Sequence, residues 1–474
     1  MRCKEEIMKQ GRIILTVLAS AFLLLAGTTV WGAKGGIPGK PPPGEEPPPP
    51  PTDATFFFWR WGHMDGPHDS SMALGISRDG QTAVGSTVVV DFERAWRSDI
   101  NWAITTDDAQ PPLYNELQVQ EDIGVIAPSR PSAAFASSDM AYLPAYDLPN
   151  LSLDWGDSTP VGTYTLGTVS YGVQWLLPVL DSVDEGDYAA IPDFGGGISE
   201  MQAMDVTADG IVMVGYGNNK RGPLAFRADM TDPLLPVIKT LAITDSVYTE
   251  QTLQWSRSEA VSADGMIIAG YGGTKRGNRA FVTQVIDPNT DPITLLSVVL
   301  PNLDGGKFAE AYAMTPDGLI IAGRSDSPRG PQACIWFVDG TTGEWVAKGL
   351  GGLSKKKLDS VATGVAYKVG STAGDLMVVG KSKSILYPSE AFVWTGNPVM
   401  EDDEIGYLYD LEYILIKTGA AEYSGMGSQW ILNEATGLSA LGDRIVGWGV
   451  NPEGGIEAWV VTGYPFDVPE FTHE

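Results

Sequence analysis

The stretch SEAVSADGMIIAG at residues 258–270 decides the fold, because copies of it recur along the chain. Each clear copy has a small residue, a hydroxyl residue, Asp-Gly, and an apolar run that ends in Gly. The copies begin at Ala73, Ala203, Ser258, Ala311, Ala362 and Ala435, the last two being looser. A pattern that recurs in this way along a chain indicates supersecondary units, each of which buries its faces only by stacking on its neighbours.

The interval between the first two starts is about twice the others and holds a degenerate copy. This copy begins at Ala133 and keeps Asp139 but has lost the Gly, and residues 172–175 are its predicted closing strand. In the six other units the closing strand opens on Ala followed by a large residue, as in Ala225-Phe226. The chain therefore contains seven units.

The chemistry of the unit predicts β-strands. Asp-Gly between two apolar runs predicts a two-residue type I′ hairpin turn, in which both central residues have positive φ. The run Met266-Ile-Ile-Ala269 suits a strand buried on both faces, and the Gly at its end permits a bulge or close backbone approach. We therefore predict an all-β, seven-bladed β-propeller of four-stranded antiparallel blades, with six or eight blades as alternatives. Residues 56–61 are predicted to supply the strand that closes the ring.

The repeat resembles the HAF-repeat family of bacterial extracellular proteins over about residues 54–464. The shared pattern is Ala-x-x-Ile/Val-Ser-x-Asp-Gly, an apolar strand ending in Gly, and then x-Ala-Phe. The chain departs from the family because the His before Ala-Phe is absent, its position holding for example Arg279 and Gln332. The resemblance implies an extracellular repeat protein and carries over no activity and no catalytic residue.

The termini lie outside the repeats. Residues 1–33 have a basic start, an apolar run at 13–26 and a small-residue end, which predicts a secretory signal peptide. An uncleaved N-terminal anchor is the alternative, and apart from it we expect no membrane span. Residues 34–53 are a Pro-rich linker, 54–464 the propeller and 465–474 a tail. We expect a secreted, periplasmic or cell-surface bacterial protein.

Composition excludes one class of partner. The formal net charge is −28, and such a surface repels nucleic acid and anionic lipid at long range. We expect a monomer whose partner is an extracellular protein or a glycan. After signal removal the chain retains one cysteine, Cys334, in an apolar strand where a buried thiol is expected.

A search for chemistry predicts no catalytic residue, no cofactor and no metal site. Residues 374–382 approximate a phosphate-binding loop, but their apolar residues predict a strand. The glycine pairs at 215 and 217 and at 270 and 272 are interpreted as turn glycines. His63 and His68 lie in a polar Gly/Pro segment without metal-ligand spacing. The repeated Asp-Gly is interpreted as turn chemistry, although the acidic surface allows adventitious Ca²⁺.

One pattern predicts a binding surface. Three successive units place basic residues just before the closing strand, where the loops of a propeller project from one face. They are Lys220, Arg221, Lys275, Arg276 and Arg329. We name them the basic arc and predict that they bind anionic glycans or carboxylates of a partner, the alternative being that they are solvated turn residues.

These observations favour an exported, non-catalytic interaction or structural scaffold at the cell exterior. The alternative is a carbohydrate-binding module or a carbohydrate-active enzyme on a propeller, since the chain has 14 Trp. An exposed aromatic strip beside two carboxylates would favour the alternative.

Overall fold

The computed structural model describes the chain between residues 56 and 463 with gaps. The described segments are 56–60, 70–89, 92–100, 121–122, 132–137, 160–166, 169–175, 188–190, 201–219, 222–232, 235–244, 252–275, 277–354, 357–368, 374–398, 406–417 and 430–463. The regular secondary structure of these segments is β-strand, apart from one short helix. The predicted signal peptide, linker and tail lie outside them, and those boundaries stay predictions.

The strands of the described segments form seven four-stranded antiparallel sheets, which we call blades 1 to 7. Blade 1 consists of β2 Ser70–Ile76, β3 Thr82–Val89, β4 Phe92–Asp99 and β5 Glu121–Asp122. Blade 2 consists of β6 Ser132–Ser137, β7 Pro160–Leu166, β8 Val169–Trp175 and β9 Tyr188–Ala190. Blade 3 consists of β10 Met201–Val206, β11 Val212–Asn219, β12 Gly222–Asp229 and β13 Val237–Thr240.

The remaining blades repeat this order. Blade 4 consists of β14 Trp255–Val261, β15 Ile267–Thr274, β16 Gly277–Asp287 and β17 Thr294–Val299. Blade 5 consists of β18 Ala309–Met314, β19 Ile321–Ser325, β20 Gln332–Val338 and β21 Trp345–Gly351. Blade 6 consists of β22 Ser360–Tyr367, β23 Leu376–Ser382, β24 Glu390–Gly396 and β25 Gly406–Asp410, followed by the short helix α1 Leu411–Lys417. Blade 7 consists of β26 Ile431–Leu438, β27 Arg444–Val450, β28 Ile456–Gly463 and β1 Phe56–Arg60.

The seven blades close into a ring. The first strand of each blade contacts the first strands of both neighbours, and the circle is completed between β26 and β2. The N-terminal strand β1 pairs antiparallel with β28, with Phe56 opposite Gly463. Phe58 is fully buried in this strand, and its ring centroid lies 5.2 Å from that of Trp430. The predicted seven-bladed propeller and its closing strand are confirmed.

A close backbone approach recurs in the blades. The first strand carries a register shift opposite a Gly of the second strand, as where Gly270 faces Ser258. A Cβ atom on Gly270 would lie 1.9 Å from the carbonyl oxygen of Arg257, so only Gly fits. The prediction of close approach is thus confirmed. In blade 2 the facing pair is Gly162 and Ala134, so this copy is in register one residue later than the predicted start at Ala133.

The Asp-Gly turns differ from the prediction. In blade 4 the N–H of Gly265 donates to the carbonyl of Ser262, which makes Ala263 and Asp264 the central residues. Gly265 has φ 69° and follows them. Asp264 Oδ1 accepts from Ser262 Oγ at 2.6 Å and from the N–H of Met266 at 3.0 Å. A type I′ turn centred on Asp-Gly is therefore wrong, because the Asp carboxylate is used inside a wider turn.

The core lies between the blades. The large residue of the closing strand is fully buried in six blades, namely Trp96, Phe226, Phe281, Cys334, Phe392 and Trp459. Cys334 is confirmed as buried, and burial raises the pKa of its thiol. The phosphate-loop lookalike is confirmed as strand β23. Gly215 and Gly270 lie within β11 and β15, so their interpretation as turn glycines is wrong.

The up-and-down order divides the connections between two faces of the ring. The turn face carries the connections from first to second strands, such as 262–266, and from third to fourth strands. The link face carries the connections from second to third strands, such as 383–389, and those between blades, such as 352–359. Among the described helices none is long and apolar enough to cross a membrane.

Candidate functional site

The first strands line the central channel with a mixed set of side chains. Two positions on each first strand, one on either side of the conserved small residue, leave their side chains partly exposed in most described blades. Blades 1 and 6 place apolar or hydroxyl residues there, whereas blades 3, 4, 5 and 7 each place at least one other polar or ionisable side chain there. The polar set consists of Gln202, Arg257, Glu259, Glu310, Tyr312 and Glu434.

Glu310 is the most heavily bonded carboxylate of the channel. Its oxygens accept from Asn278 Nδ2 at 2.5 Å, Tyr312 Oη at 2.5 Å and Arg324 Nε at 2.6 Å. Burial raises the pKa of Glu310, but the hydrogen bonds from Tyr312, Asn278 and Arg324 outweigh it and hold the pKa below its ordinary value. Because Asn278 belongs to blade 4, this carboxylate joins blade 4 to blade 5.

Arg257 connects blade 3 to blade 4 through aromatic rings. Its guanidinium carbon lies 4.1 Å from the ring centroid of Tyr216 and 6.0 Å from that of Tyr271. The Tyr216 hydroxyl donates to Gln202 Oε1. The Tyr271 ring also meets the Tyr312 ring at 5.8 Å between centroids. A cation over an aromatic face is attracted electrostatically, so Arg257 helps to hold blade 4 against blade 3.

Glu259 differs from the other channel carboxylates. It lies on β14, two residues after Arg257, and among the described residues its carboxyl has no hydrogen bond. Burial raises its pKa to about 8, assisted by the charge of Glu310 and partly offset by Arg257. At neutral pH a large share of Glu259 is therefore protonated, and a neutral carboxyl can donate a hydrogen bond to an oxygen of a ligand.

Arg78 spans the channel at its turn-face end. It follows the first strand of blade 1, yet its Nη2 donates to the carbonyls of Val261 at 2.6 Å and Val206 at 3.4 Å, in blades 4 and 3. The same nitrogen lies 3.9 Å from Asp205 Oδ2. Asp205 accepts the N–H groups of Val206 and Val261, both at 2.8 Å, and burial nevertheless raises its pKa.

We name Arg257, Glu259, Tyr271, Glu310, Tyr312 and Arg324 the channel cluster. Sequence analysis missed it, because the repeat pattern emphasises the shared positions, and these residues occupy the variable ones. The available signal was the polar residue just before the small residue of the repeat, where Arg257, Glu310 and Glu434 interrupt otherwise apolar strands. In blade 7, Glu434 lies 3.0 Å from Lys381 Nζ of blade 6.

The structure places part of the predicted basic arc. Lys275 and Arg329 are exposed in the second-to-third-strand connections of blades 4 and 5, and so lie on the link face. Lys220, Arg221 and Arg276 lie outside the described residues, as do His63 and His68. Three further cations are exposed on this face and were not predicted from the sequence, namely Lys307, Lys357 and Lys383.

Exposed carboxylates concentrate on the turn face of blades 3 to 5. They are Asp209, Asp232, Asp264, Asp291, Asp317 and Glu344. On the described link face of blades 4 to 6 the exposed carboxylates are Asp304 and Asp359, against five exposed cations. This part of the ring is therefore polarised between its faces. No group of three or more metal-ligating side chains occurs among the described residues.

Comparison with known proteins assigns the chain to no family. No family model matches the chain, and no curated protein matches it. Among solved structures, TolB from Acinetobacter baumannii is similar at 13% identity with a TM-score of 0.32, covering 57% of this chain and 53% of that one. The chain thus spans about half the length of that protein.

Two further structures are similar over more of the chain. Oligogalacturonate lyase from Vibrio parahaemolyticus has 9% identity and a TM-score of 0.43, covering 87% of this chain and 92% of that one. The Dos1 propeller has 11% identity and a TM-score of 0.29, covering 83% and 70%. The likenesses are too weak to bear on ligand or activity, and the chain is placed by its own architecture as a seven-bladed β-propeller.

Proposed function

We propose that this protein is an exported, non-catalytic binding scaffold at the bacterial cell exterior, whose link face recognises anionic groups on glycans or partner proteins. The polarity of the ring supports the proposal. Lys275, Lys307, Arg329, Lys357 and Lys383 are exposed on the link face, while the exposed carboxylates of blades 3 to 5 concentrate on the turn face. Cations on one face of a negative molecule direct that face toward an anionic partner.

The separation of the two faces decides whether the net charge of −28 overrides the local cations. Strand β15 has eight residues, which at about 3.3 Å each is about 26 Å from face to face. The Debye length is about 8 Å at physiological ionic strength. The turn-face carboxylates are thus more than two screening lengths from a ligand on the link face, so the nearby cations dominate.

The arrangement of the channel cluster favours binding over hydrolysis. A glycosidase uses two carboxyl groups, one of them protonated. Glu259 has the raised pKa of an acid, and this observation is what favours the enzymatic alternative. Glu310 is the carboxylate beside it along the cluster, but its oxygens are engaged by Asn278, Tyr312 and Arg324. A carboxylate that three donors hold ionised, with a lowered pKa, joins the blades and is a poor general base.

The decisive experiment is a glycan array with the full chain and two double variants. Lys275→Ser with Arg329→Ser removes two link-face cations, and we expect binding of uronate or sulfated glycans to fall about tenfold or more. The control, Asn289→Asp with Thr341→Asp, makes the same change in net charge at exposed positions on the turn face. It should bind as the parent does.

Two results would overturn the proposal. One is a parent chain that binds no anionic glycan and no carboxylate-rich protein. The other is a link-face variant and a control that lose binding equally, since that would assign the effect to net charge. Release of reducing ends from an acidic polysaccharide, abolished by Glu259→Gln, would establish the enzymatic alternative.

A further inference from the structure

The connection between β23 and β24 of blade 6 holds two prominent apolar side chains on the link face. Ile385 is 90% exposed and Leu386 is 80% exposed, the highest values among the large hydrophobic residues that the structure describes. Tyr387 follows them at 36% exposure. We name residues 385–387 the apolar tip. Two adjacent, highly exposed large aliphatic side chains indicate an interaction site.

The apolar tip is held outward by a tight turn. The N–H of Ser384 donates to the carbonyl of Tyr387 at 3.1 Å. Ser384 Oγ accepts the N–H groups of Leu386 and Tyr387, both at 3.0 Å. The N–H of Lys383 donates to the carbonyl of Asp359 at 2.8 Å, which fixes the base of the turn to the neighbouring connection. The two side chains are therefore presented in a fixed, convex arrangement.

Basic residues surround the base of the tip. Lys383 directly precedes the turn, and Lys357 is exposed in the connection that the turn contacts. The N–H of Leu358 donates to the carbonyl of Arg329 at 2.9 Å, which joins this connection to that of blade 5. Asp359 is the exposed acid of the same connection.

We propose that the apolar tip docks into the interface of an anionic lipid bilayer. A convex pair of aliphatic side chains needs a pre-formed pocket in a protein partner, whereas a bilayer deforms around it. Lysines at the base lie where phosphate headgroups would be, and a tyrosine beside the aliphatic pair suits the interfacial zone. The inference goes beyond the proposed recognition of glycans, and it depends on different residues.

The test places a reporter on the tip of the full chain. In a Cys3→Ser background, Leu386→Cys is labelled with a polarity-sensitive thiol dye; Cys334 is buried and does not compete. Leu235→Cys is the matched control, because Leu235 is 73% exposed on the turn face. With vesicles of phosphatidylcholine and phosphatidylglycerol in equal parts, we expect a blue shift at position 386 and none at 235. The dye reports on the tip rather than on the apolar run at residues 13–26.

A second measurement uses unlabelled protein and co-sedimentation with the same vesicles. Ile385→Ser with Leu386→Ser should lower partitioning at least about tenfold, since each buried aliphatic side chain carries that much affinity. The control pair, Leu235→Ser with Val237→Ser, should leave it unchanged. An unshifted dye at 386, an equal shift at 235, or unchanged partitioning of the tip variant would overturn the proposal and point to a protein partner with an apolar pocket.

Discussion

At the scale of single residues, the channel shows how neighbours decide the protonation of a carboxyl. Glu310 and Glu259 lie on adjacent first strands, yet the pKa of Glu310 is lowered and that of Glu259 is raised to about 8. Three donors offset burial at Glu310. Burial and the negative charge of Glu310 both disfavour ionisation of Glu259, and the positive charge of Arg257 offsets this only in part.

The raised pKa of Glu259 predicts a pH dependence of stability. An unfolded Glu releases its proton near pH 4.3, whereas folded Glu259 holds it up to about pH 8. In that window the folded chain binds more protons, so the free energy of unfolding falls as the pH rises. Glu259→Gln should flatten this part of the profile, which urea unfolding between about pH 5 and 8 measures.

Asp410 provides the control for that profile, because its pKa is also raised, to about 7, by burial and by Glu390 and Glu412. Asp410→Asn should flatten the profile below about pH 7 and leave the fall between about pH 7 and 8 in place. A Glu259→Gln profile parallel to that of the parent would contradict the assignment. Sequence could not single out Glu259 among 59 acidic residues, since its pKa depends on side chains of blades 4 and 5 that only the ring brings together.

At the scale of elements, glycine governs how the first and second strands meet. The space for a Cβ at Gly270 is occupied by the carbonyl oxygen of Arg257, 1.9 Å away. The same approach occurs at Gly215, where the oxygen is that of Gln202, at 1.9 Å. These are backbone atoms that cannot rotate aside, so the strands would have to separate.

Gly270→Ala should therefore lower the free energy of unfolding by about 2–4 kcal/mol, in the range of severe core substitutions. Gly340→Ala is the matched control, because a Cβ there meets nothing within 4 Å, and its effect should stay within about 0.5 kcal/mol. Guanidinium unfolding of both variants measures the difference. Equal midpoints would show that the bulge relaxes without cost.

The strand order and the close approach of the second-strand Gly to the first strand were predictable, because both depend on residues that the repeats share. The turn type was not. Asp-Gly has the same dipeptide signature in a two-residue hairpin. Here Ser262 Oγ and the N–H of Met266 both donate to Asp264 Oδ1, and these bonds belong to a wider turn. The one-residue error at Ala133 has a similar origin, since neighbouring alanines at 133 and 134 give the pattern no fixed register.

At the scale of the whole molecule, the net charge and the local charge have opposite signs on the link face. The basic arc was predictable as a sequence pattern, but Lys307, Lys357 and Lys383 follow no repeat and join that face only through the ring. The Debye length, which sets how far each charge acts through the solvent, therefore controls binding of an anionic ligand to this face.

This opposition predicts an optimum in salt. At about 10 mM salt the Debye length is about 30 Å, and the whole negative molecule repels a polyanion. At about 150 mM only the nearby cations are felt, and at about 1 M they too are screened. Affinity for an immobilised sulfated glycan should thus rise and then fall with added salt. A steady decline would show that the turn-face carboxylates do not matter.

Pairing of Phe56 with Gly463 also sets an order of events during biogenesis. Because synthesis starts at the N-terminus, β1 is made long before its partner β28. It therefore stays unpaired until β28 has been made. Until then β1 has no partner, and its backbone hydrogen-bonding groups stay open to other chains. Removal of β26 to β28 would therefore leave β1 without a partner. It would also uncover the sides of blades 6 and 1 that pack against blade 7.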